Sequence, residues 1–185
     1  MHRFFTEAIS NGEALVTGED VRHIARVLRL KAGDAATLCD GMGRDYDGVI
    51  TAVSDGAVRF SVGEGRPSET ESACRVTLYQ CLPKAGKMEL IVQKCTELGV
   101  HAVVPVLSSR CVAQPAGNFE IKRVRLQRVA EEAAKQSRRG IIPYFGTLTP
   151  LPALDPASFD LFIIAYEEER ALSLRTVRRC NWSAR

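Results

Sequence analysis

Leu82-Pro83-Lys84-Ala85-Gly86-Lys87-Met88-Glu89-Leu90-Ile91-Val92-Gln93-Lys94-Cys95-Thr96-Glu97-Leu98-Gly99-Val100 lies between two apolar runs, Val76-Thr77-Leu78-Tyr79-Gln80-Cys81 before it and Ala102-Val103-Val104-Pro105-Val106-Leu107 after it. Strand, short loop, helix, strand is the order of a parallel βαβ unit. Met88, Ile91, Val92, Cys95 and Leu98 recur at helical spacing and predict one apolar stripe, with Gly99 as the left-handed residue that ends the helix. In open α/β sheets ligands bind at loops leaving the carboxyl ends of the strands, which makes the turn 83–87 a candidate for recognition or chemistry. Lys84 and Lys87 as plain solvated loop cations is an equally open reading. The turn is not a phosphate-cradling P-loop, because the order Gly-x-x-x-x-Gly-Lys-Ser/Thr is missing.

Towards the C-terminus, Ser108-Ser109-Arg110-Cys111 follows the second strand and therefore leaves the same sheet edge. A long helix is predicted over 119–137, with Leu126, Val129, Ala130, Ala133 and Ser137 facing inward. Lys122, Arg123, Arg125, Arg128, Lys135, Arg138 and Arg139 outnumber Glu120, Glu131 and Glu132 around it, so it reads as a basic surface. The run 159–165 reads as a third buried strand that ends in Tyr166-Glu167-Glu168-Glu169. Residues 178–185 have neither strand nor helix pattern.

Towards the N-terminus, residues 1–66 read as a small β-rich domain, with strands at 3–5, 34–39, 46–53 and 58–62 separated by Asp40-Gly41 and Asp55-Gly56. One helix interrupts them, with Thr17 as N-cap, Val21, Ile24, Ala25 and Leu28 inward, and Gly33 at its end. Arg22, Arg26 and Arg29 then stack along its other side, widened by His23 and Lys31. Such a row can neutralise consecutive phosphates or simply solvate a helix face. Residues 67–75, rich in polar and turn-forming types, read as the linker to a second domain at 76–185.

The 185 residues are 45% apolar and 25% charged, an ordinary globular composition. No apolar run reaches the roughly 20 residues of a membrane span, and the start Met1-His2-Arg3-Phe4-Phe5 lacks a signal-peptide core, so a cytoplasmic protein without a membrane partner is expected. The six cysteines are scattered singly, without metal-ligand spacing, and are expected as reduced thiols with no metal. A net charge of +3 permits a nucleic-acid partner without demanding one.

A set of motifs then recurs in order: Arg3-Phe4-Phe5, His23-x-x-Arg26-Val27-Leu28-Arg29, Asp40-Gly41-x-Gly43, Lys84-x-x-Lys87-Met88-Glu89, Gln93-Lys94-x-Thr96-Glu97-Leu98-Gly99-Val100, Ser109-Arg110-Cys111, Glu132-Ala133-Ala134-x-Gln136-Ser137-x-Arg139 and Ala165-Tyr166-Glu167. With these the chain resembles the RsmE family of 16S rRNA uracil-N3 methyltransferases. The resemblance implies an α+β two-domain fold: a PUA-like RNA-binding β-barrel at 1–66, then an α/β SPOUT methyltransferase domain with a parallel sheet at 76–185. It further implies S-adenosylmethionine as methyl donor, 16S rRNA of the small ribosomal subunit as partner, and a homodimer.

In that family a Gly-Pro-Glu-Gly-Gly loop and a Leu-Gly-x-Arg-Ile-Leu-Arg-x-Glu-Thr motif form the cofactor-binding knot, and neither occurs in this sequence. The expectation is a methyltransferase domain incomplete at its C-terminus; the alternative is a non-catalytic RNA-binding fragment of such an enzyme. A metabolic enzyme for a phosphorylated small molecule would use 84–87 but leave the basic helices unexplained.

Methylating N3 of uracil requires removing its proton and stabilising an imide anion while nitrogen and methyl are held in line. By position Arg110, Arg138 and Arg139 are the expected catalytic group near the target base. Lys84, Lys87 and Gln136, with Arg22, His23, Arg26 and Arg29, are expected to hold RNA. Tyr166 and Glu167 are expected to border the cofactor, unless they merely open an acidic helix start. Glu89 and Glu97 are expected to pair with neighbouring cations.

Overall fold

A computed structural model of the chain describes residues 2–84, 86–112, 119–166, 168 and 170. Its backbone divides into two compact units, 1–152 and 153–185.

The first unit opens with β1 (Arg3–Phe5), then a hairpin of β2 (Ile9–Ser10) and β3 (Glu13–Thr17) that no sequence pattern above anticipates. Its turn is Asn11-Gly12, both at positive φ (53° and 76°), the pair that a tight two-residue hairpin favours. Next come β4 (Ala35–Cys39), β5 (Arg44–Val53), β6 (Ala57–Val62) and the short β7 (Arg66–Pro67). The strand order is β1-β4-β5-β6-β3-β2, with β7 on β5; β1 runs parallel to β4 and the other pairs are antiparallel.

Alternation buries Val58, Phe60 and Val62 of β6. Phe4 of β1 and Ala14 and Val16 of β3 join Leu38, Ile50 and Phe60 in one core. Strands from opposite ends of the order share that core, so the sheet curls around it. Gly48 permits the curl, since a Cβ there would stand 3.3 Å from both Phe60 and Val62.

The helix of this half departs from expectation. It starts at Glu19, not after a Thr17 cap, and α1 (Glu19–Arg22) has Gly18 before it with no side-chain cap. A π turn follows over His23–Val27, closed by the Leu28 N–H donating to the His23 carbonyl at 2.9 Å. Val21 and Ile24 are buried as predicted. Arg29 stands past the turn in a left-handed conformation (φ 55°), so it is not stacked with Arg22 and Arg26 on one helix face.

The α/β half contains β8 (Thr77–Cys81), α2 (Lys87–Glu97), β9 (Ala102–Leu107), α3 (Phe119–Gln136), β10 (Tyr144–Phe145) and β11 (Thr149–Pro150). Every pairing is parallel: β9 is central, with β8 on one side and β10 and β11 on the other. From α2, Met88, Val92 and Thr96 face the core. Leu98 does not: it is 86% exposed, because the buried face runs at intervals of four from Met88 and leaves Leu98 off it. Gly99 takes the left-handed conformation (φ 93°) as predicted. The buried residues of α3 are Leu126, Ala130, Ala133 and Ala134.

In the second unit Asp155 caps the turn Pro156–Ser158, its Oδ1 accepting from the Ala157 N–H at 3.0 Å. The run 159–165, expected as a buried strand, joins no ladder, and Ile164 is 74% exposed. An apolar run becomes a strand only where a neighbouring strand pairs with its N–H and C=O groups, and no ladder forms on it among the described residues.

Candidate functional site

Cys81 and Val106 are register partners, so the loops that leave β8 and β9 emerge at one carboxyl edge. Lys84 and Lys87 are exposed on the first loop, where Gly86 (φ 83°) makes the left-handed entry to α2. Arg110 is exposed on the second, at the tip of a turn closed by the Cys111 N–H donating to the Ser108 carbonyl at 3.1 Å. The Cys111 thiol ties this turn to the sheet: Sγ accepts from the Ser108 N–H at 3.3 Å and lies 3.8 Å from the Val106 carbonyl. Burial alone would raise that thiol, but hydrogen bonds from Ser108, the Leu82 N–H and Cys81 bring it below the ordinary value. Lys84, Lys87 and Arg110 form no ion pair among the described residues. This edge is therefore uncompensated positive charge on tight turns.

The end of α3 lies elsewhere. β10 begins opposite Ala102, the first residue of β9, and Arg139 reaches the Val100 carbonyl. The residues after α3 thus sit at the amino edge of the sheet. An 18-residue helix, about 27 Å long at 1.5 Å per residue, separates them from the Arg110 edge. Within one chain Arg110, Arg138 and Arg139 do not form a cluster.

That amino edge is a seam against the curled sheet. Arg139 is 4% exposed; its Nη1 donates to the Val100 carbonyl at 2.6 Å and its Nη2 pairs with Glu71 Oε2 at 2.6 Å. Glu71 Oε1 accepts from the Gly140 and Ile141 N–H groups at 2.8 and 2.9 Å. Burial would raise the Glu71 carboxyl, but Arg139 and the two backbone donors hold it below its ordinary value. Beside it Arg3 pairs with Asp45, donates to the Arg138 carbonyl, and donates to Cys39 Sγ at 2.7 Å. Burial pushes the Cys39 thiol up to about 12 despite Arg3. Gly140 has no room for a side chain, because a Cβ there would collide with the Ser68 side chain. Ser68 and Glu71, in the stretch read as a linker, are thus anchors of the seam.

Two corrections follow. Arg139 cannot face a substrate base, since burial and its partners commit the guanidinium to the protein interior. The basic surface of α3 is also smaller than its charge count: Arg123 pairs with Glu120, Arg125 with Glu89 at 3.0 Å, and Lys135 with Asp20 at 3.0 Å. Glu89 and Glu97 pair as expected, Glu97 with Lys94 at 2.8 Å.

Arg22, His23, Arg26 and Arg29 are all exposed around the π turn, and the arginines form no ion pair among the described residues. The Asp20–Lys135 pair ties α1 to the end of α3, where Gln136 and Arg138 are exposed. These six side chains thus belong to one end of the unit. Between the helix and the β5–β6 turn lies a cavity of about 380 Å³, bordered by Arg22, Arg26, Ser54 and Asp55. Asp55 reads in sequence only as a turn residue.

Comparison with known proteins finds two family models in the chain. Residues 16–62 match the family model for an RNA methyltransferase PUA domain, and residues 70–182 match the one for an RNA methyltransferase domain. The chain belongs to this RNA methyltransferase family. It is 35% identical over 156 residues to ribosomal RNA small subunit methyltransferase E of Bacillus subtilis, covering 83% of this chain and 61% of that protein. The protein of the same name from Synechocystis is 31% identical, covering 95% of this chain and 54% of its own length. The chain thus spans little more than half the length of these relatives. The structure of the Neisseria gonorrhoeae methyltransferase E bound to S-adenosyl methionine superposes with a TM-score of 0.70 at 27% identity, covering 81% of this chain and 63% of that one.

In family terms the curled sheet is the PUA-like part and the parallel sheet is of the SPOUT methyltransferase type. Of the two residues expected beside the cofactor, Tyr166 is exposed and its hydroxyl donates to Glu168 at 2.6 Å, while Glu167 lies outside the described residues. The five described cysteines are free thiols. No helix among the described residues is long and apolar enough to cross a membrane.

Proposed function

We propose that the protein methylates N3 of a uridine in small-subunit ribosomal RNA, with S-adenosylmethionine as methyl donor, as a cytoplasmic homodimer. The observation that carries this reading is the uncompensated cationic carboxyl edge of Lys84, Lys87 and Arg110 in a chain of the RNA methyltransferase family.

The chemistry of that donor set fits an anionic partner. Arg110, fixed on its tight turn, is the catalytic group in this reading: its guanidinium faces the imide oxygens and stabilises the charge that develops as N3 loses its proton. Lys84 and Lys87 hold the adjoining phosphates. When bound, the cofactor supplies the electrophilic methyl group. Tyr166 and Glu167, in the second unit, are the proposed cofactor-binding residues. Gln136 and Arg138 join Arg22, His23, Arg26 and Arg29 in gripping the RNA backbone, which positions the strand without reading its sequence. Domain limits of 1–66 and 76–185, with 67–75 between them, complete the proposal.

The test is transfer of a labelled methyl group to a small-subunit rRNA fragment, followed by nucleoside analysis. The expected product is 3-methyluridine, with Arg110→Ala lowering turnover roughly 100-fold at unchanged melting temperature. Label in another nucleoside would overturn the N3 assignment. Absence of label with RNA still bound at a steep salt dependence would confine the function to RNA binding.

A further inference from the structure

The cavity between the helix and the β5–β6 turn combines charges that a plain phosphate site would not. Arg22, Arg26 and Asp55 all border it, together with Ala25 and the edge of the buried Val21. None of the three charged groups has an ion-pair partner among the described residues. A cavity that holds two arginines and a carboxylate draws an anion to the arginines and disfavours one beside the carboxylate. It suits a ligand that is anionic at one end and carries hydrogen-bond donors at the other.

The turn that presents Asp55 is rigid. The Ser54 hydroxyl donates to the Ala57 carbonyl at 2.8 Å and accepts from the Ala57 N–H at 3.2 Å, and the Ser54 N–H donates to the same carbonyl at 2.9 Å. Asp55 is therefore held at the tip of the turn, with no ion-pair partner among the described residues. The opposite wall is unusual too: the π turn interrupts the helix between Arg22 and Arg26, a feature frequent at functional sites.

About 380 Å³ is the size of a small-ligand pocket and accommodates one unstacked nucleotide. The bases differ in what they show a carboxylate, which only accepts. Guanine presents two adjacent donors, N1–H and the N2 amino group. Adenine and cytosine present one donor beside an acceptor, and uracil one donor between two carbonyls.

We propose that this cavity is a guanine-nucleotide subsite for single-stranded RNA, with Asp55 accepting from the guanine edge and Arg22 and Arg26 on the phosphate. It deepens the RNA-binding reading, adding base selection to a surface otherwise suited only to phosphates. Splayed-out bases read on their Watson–Crick edges are the usual currency of RNA specificity.

The experiment is calorimetric titration of the full chain with GMP, AMP, CMP, UMP and inorganic phosphate, alongside two single-stranded oligonucleotides that differ only in whether they contain guanine. GMP is expected to bind about tenfold tighter than the other nucleotides. Arg26→Ala should weaken all nucleotides alike. Asp55→Asn should remove the guanine preference and raise AMP or CMP, because an amide offers one donor beside one acceptor. Equal binding of all ligands, phosphate included, or a guanine preference that survives Asp55→Asn, would overturn the subsite. If both oligonucleotides bind equally, with affinity that falls in Arg26→Ala but not in Asp55→Asn, the RNA-binding reading stands and the subsite falls. If GMP binds selectively and neither oligonucleotide binds, the cavity takes free nucleotides only, and the RNA subsite and the RNA-binding reading both fall.

Discussion

The carboxyl edge of the parallel sheet and the seam at its amino edge use the same residue types for opposite ends. At the carboxyl edge Lys84, Lys87 and Arg110 are exposed on tight turns and form no ion pair among the described residues. At the seam Arg3 and Arg139 are buried against Asp45 and Glu71 and hold the two sheets together. Arg138 and Arg139 show the switch within two residues. The left-handed conformation of Arg138 (φ 58°) leaves its side chain in solvent while Arg139 goes inside. Whether an arginine binds a ligand or the protein is decided by which carboxylate the fold brings to it, not by local charge density.

The comparison predicts its largest effect at Glu71. Glu71→Ala strands the Arg139 guanidinium and two backbone N–H groups, and should cost about 3 kcal/mol of unfolding free energy in urea. Arg110→Ala should change stability by no more than roughly 0.5 kcal/mol. Equal costs at the two positions would erase the distinction between the regions.

Acidification gives a smaller and sharper test. Because the folded-state carboxyl of Glu71 is held below its ordinary value of 4.5, its contribution is complete above that pH and is lost as pH falls from there through the folded value. The difference in stability between the parent and Glu71→Gln should therefore shrink below about pH 4.5 and stay constant above it. A difference that grows on acidification would mean that Glu71 is not held ionised by Arg139.

Much of this fold is legible in the sequence, because β8, α2 and β9 carry their own periodicity and Gly99 marks a helix end. The β2–β3 hairpin was legible too, since Asn11-Gly12 between short alternating runs is a strong turn signal; a reading tuned to longer strands passes over it. Other features are not local. Leu98 matches the α2 stripe in composition and misses it in angle. Glu71 sits in a polar stretch with no periodicity, and only the folded chain brings Arg139 to it across 68 positions. The run 159–165 has strand composition, but pairing depends on a neighbour that composition cannot supply. For the candidate site, sequence picks out the exposed cations; it cannot show that Arg110 and Arg138 lie at opposite ends of α3, nor that Asp55 borders the same cavity as Arg22 and Arg26.

The smallest predicted effect sharpens the comparison with an intermediate case. Lys135 reaches both carboxylate oxygens of Asp20, at 3.2 and 3.0 Å, and so joins α1 to α3. The two side chains keep 27% and 21% of their exposure, more than the seam pair and less than the loop cations. A pair so placed gains little over water and is screened by salt. A double-mutant cycle of Asp20→Ala and Lys135→Ala should give a coupling of about 0.5 kcal/mol that fades in 1 M salt. A coupling of about 2 kcal/mol or more, insensitive to salt, would make this contact part of the seam. The basic end formed by α1, Gln136 and Arg138 would then be rigidly placed. A coupling near zero would instead leave α1 free to shift its arginines against the end of α3 as RNA binds.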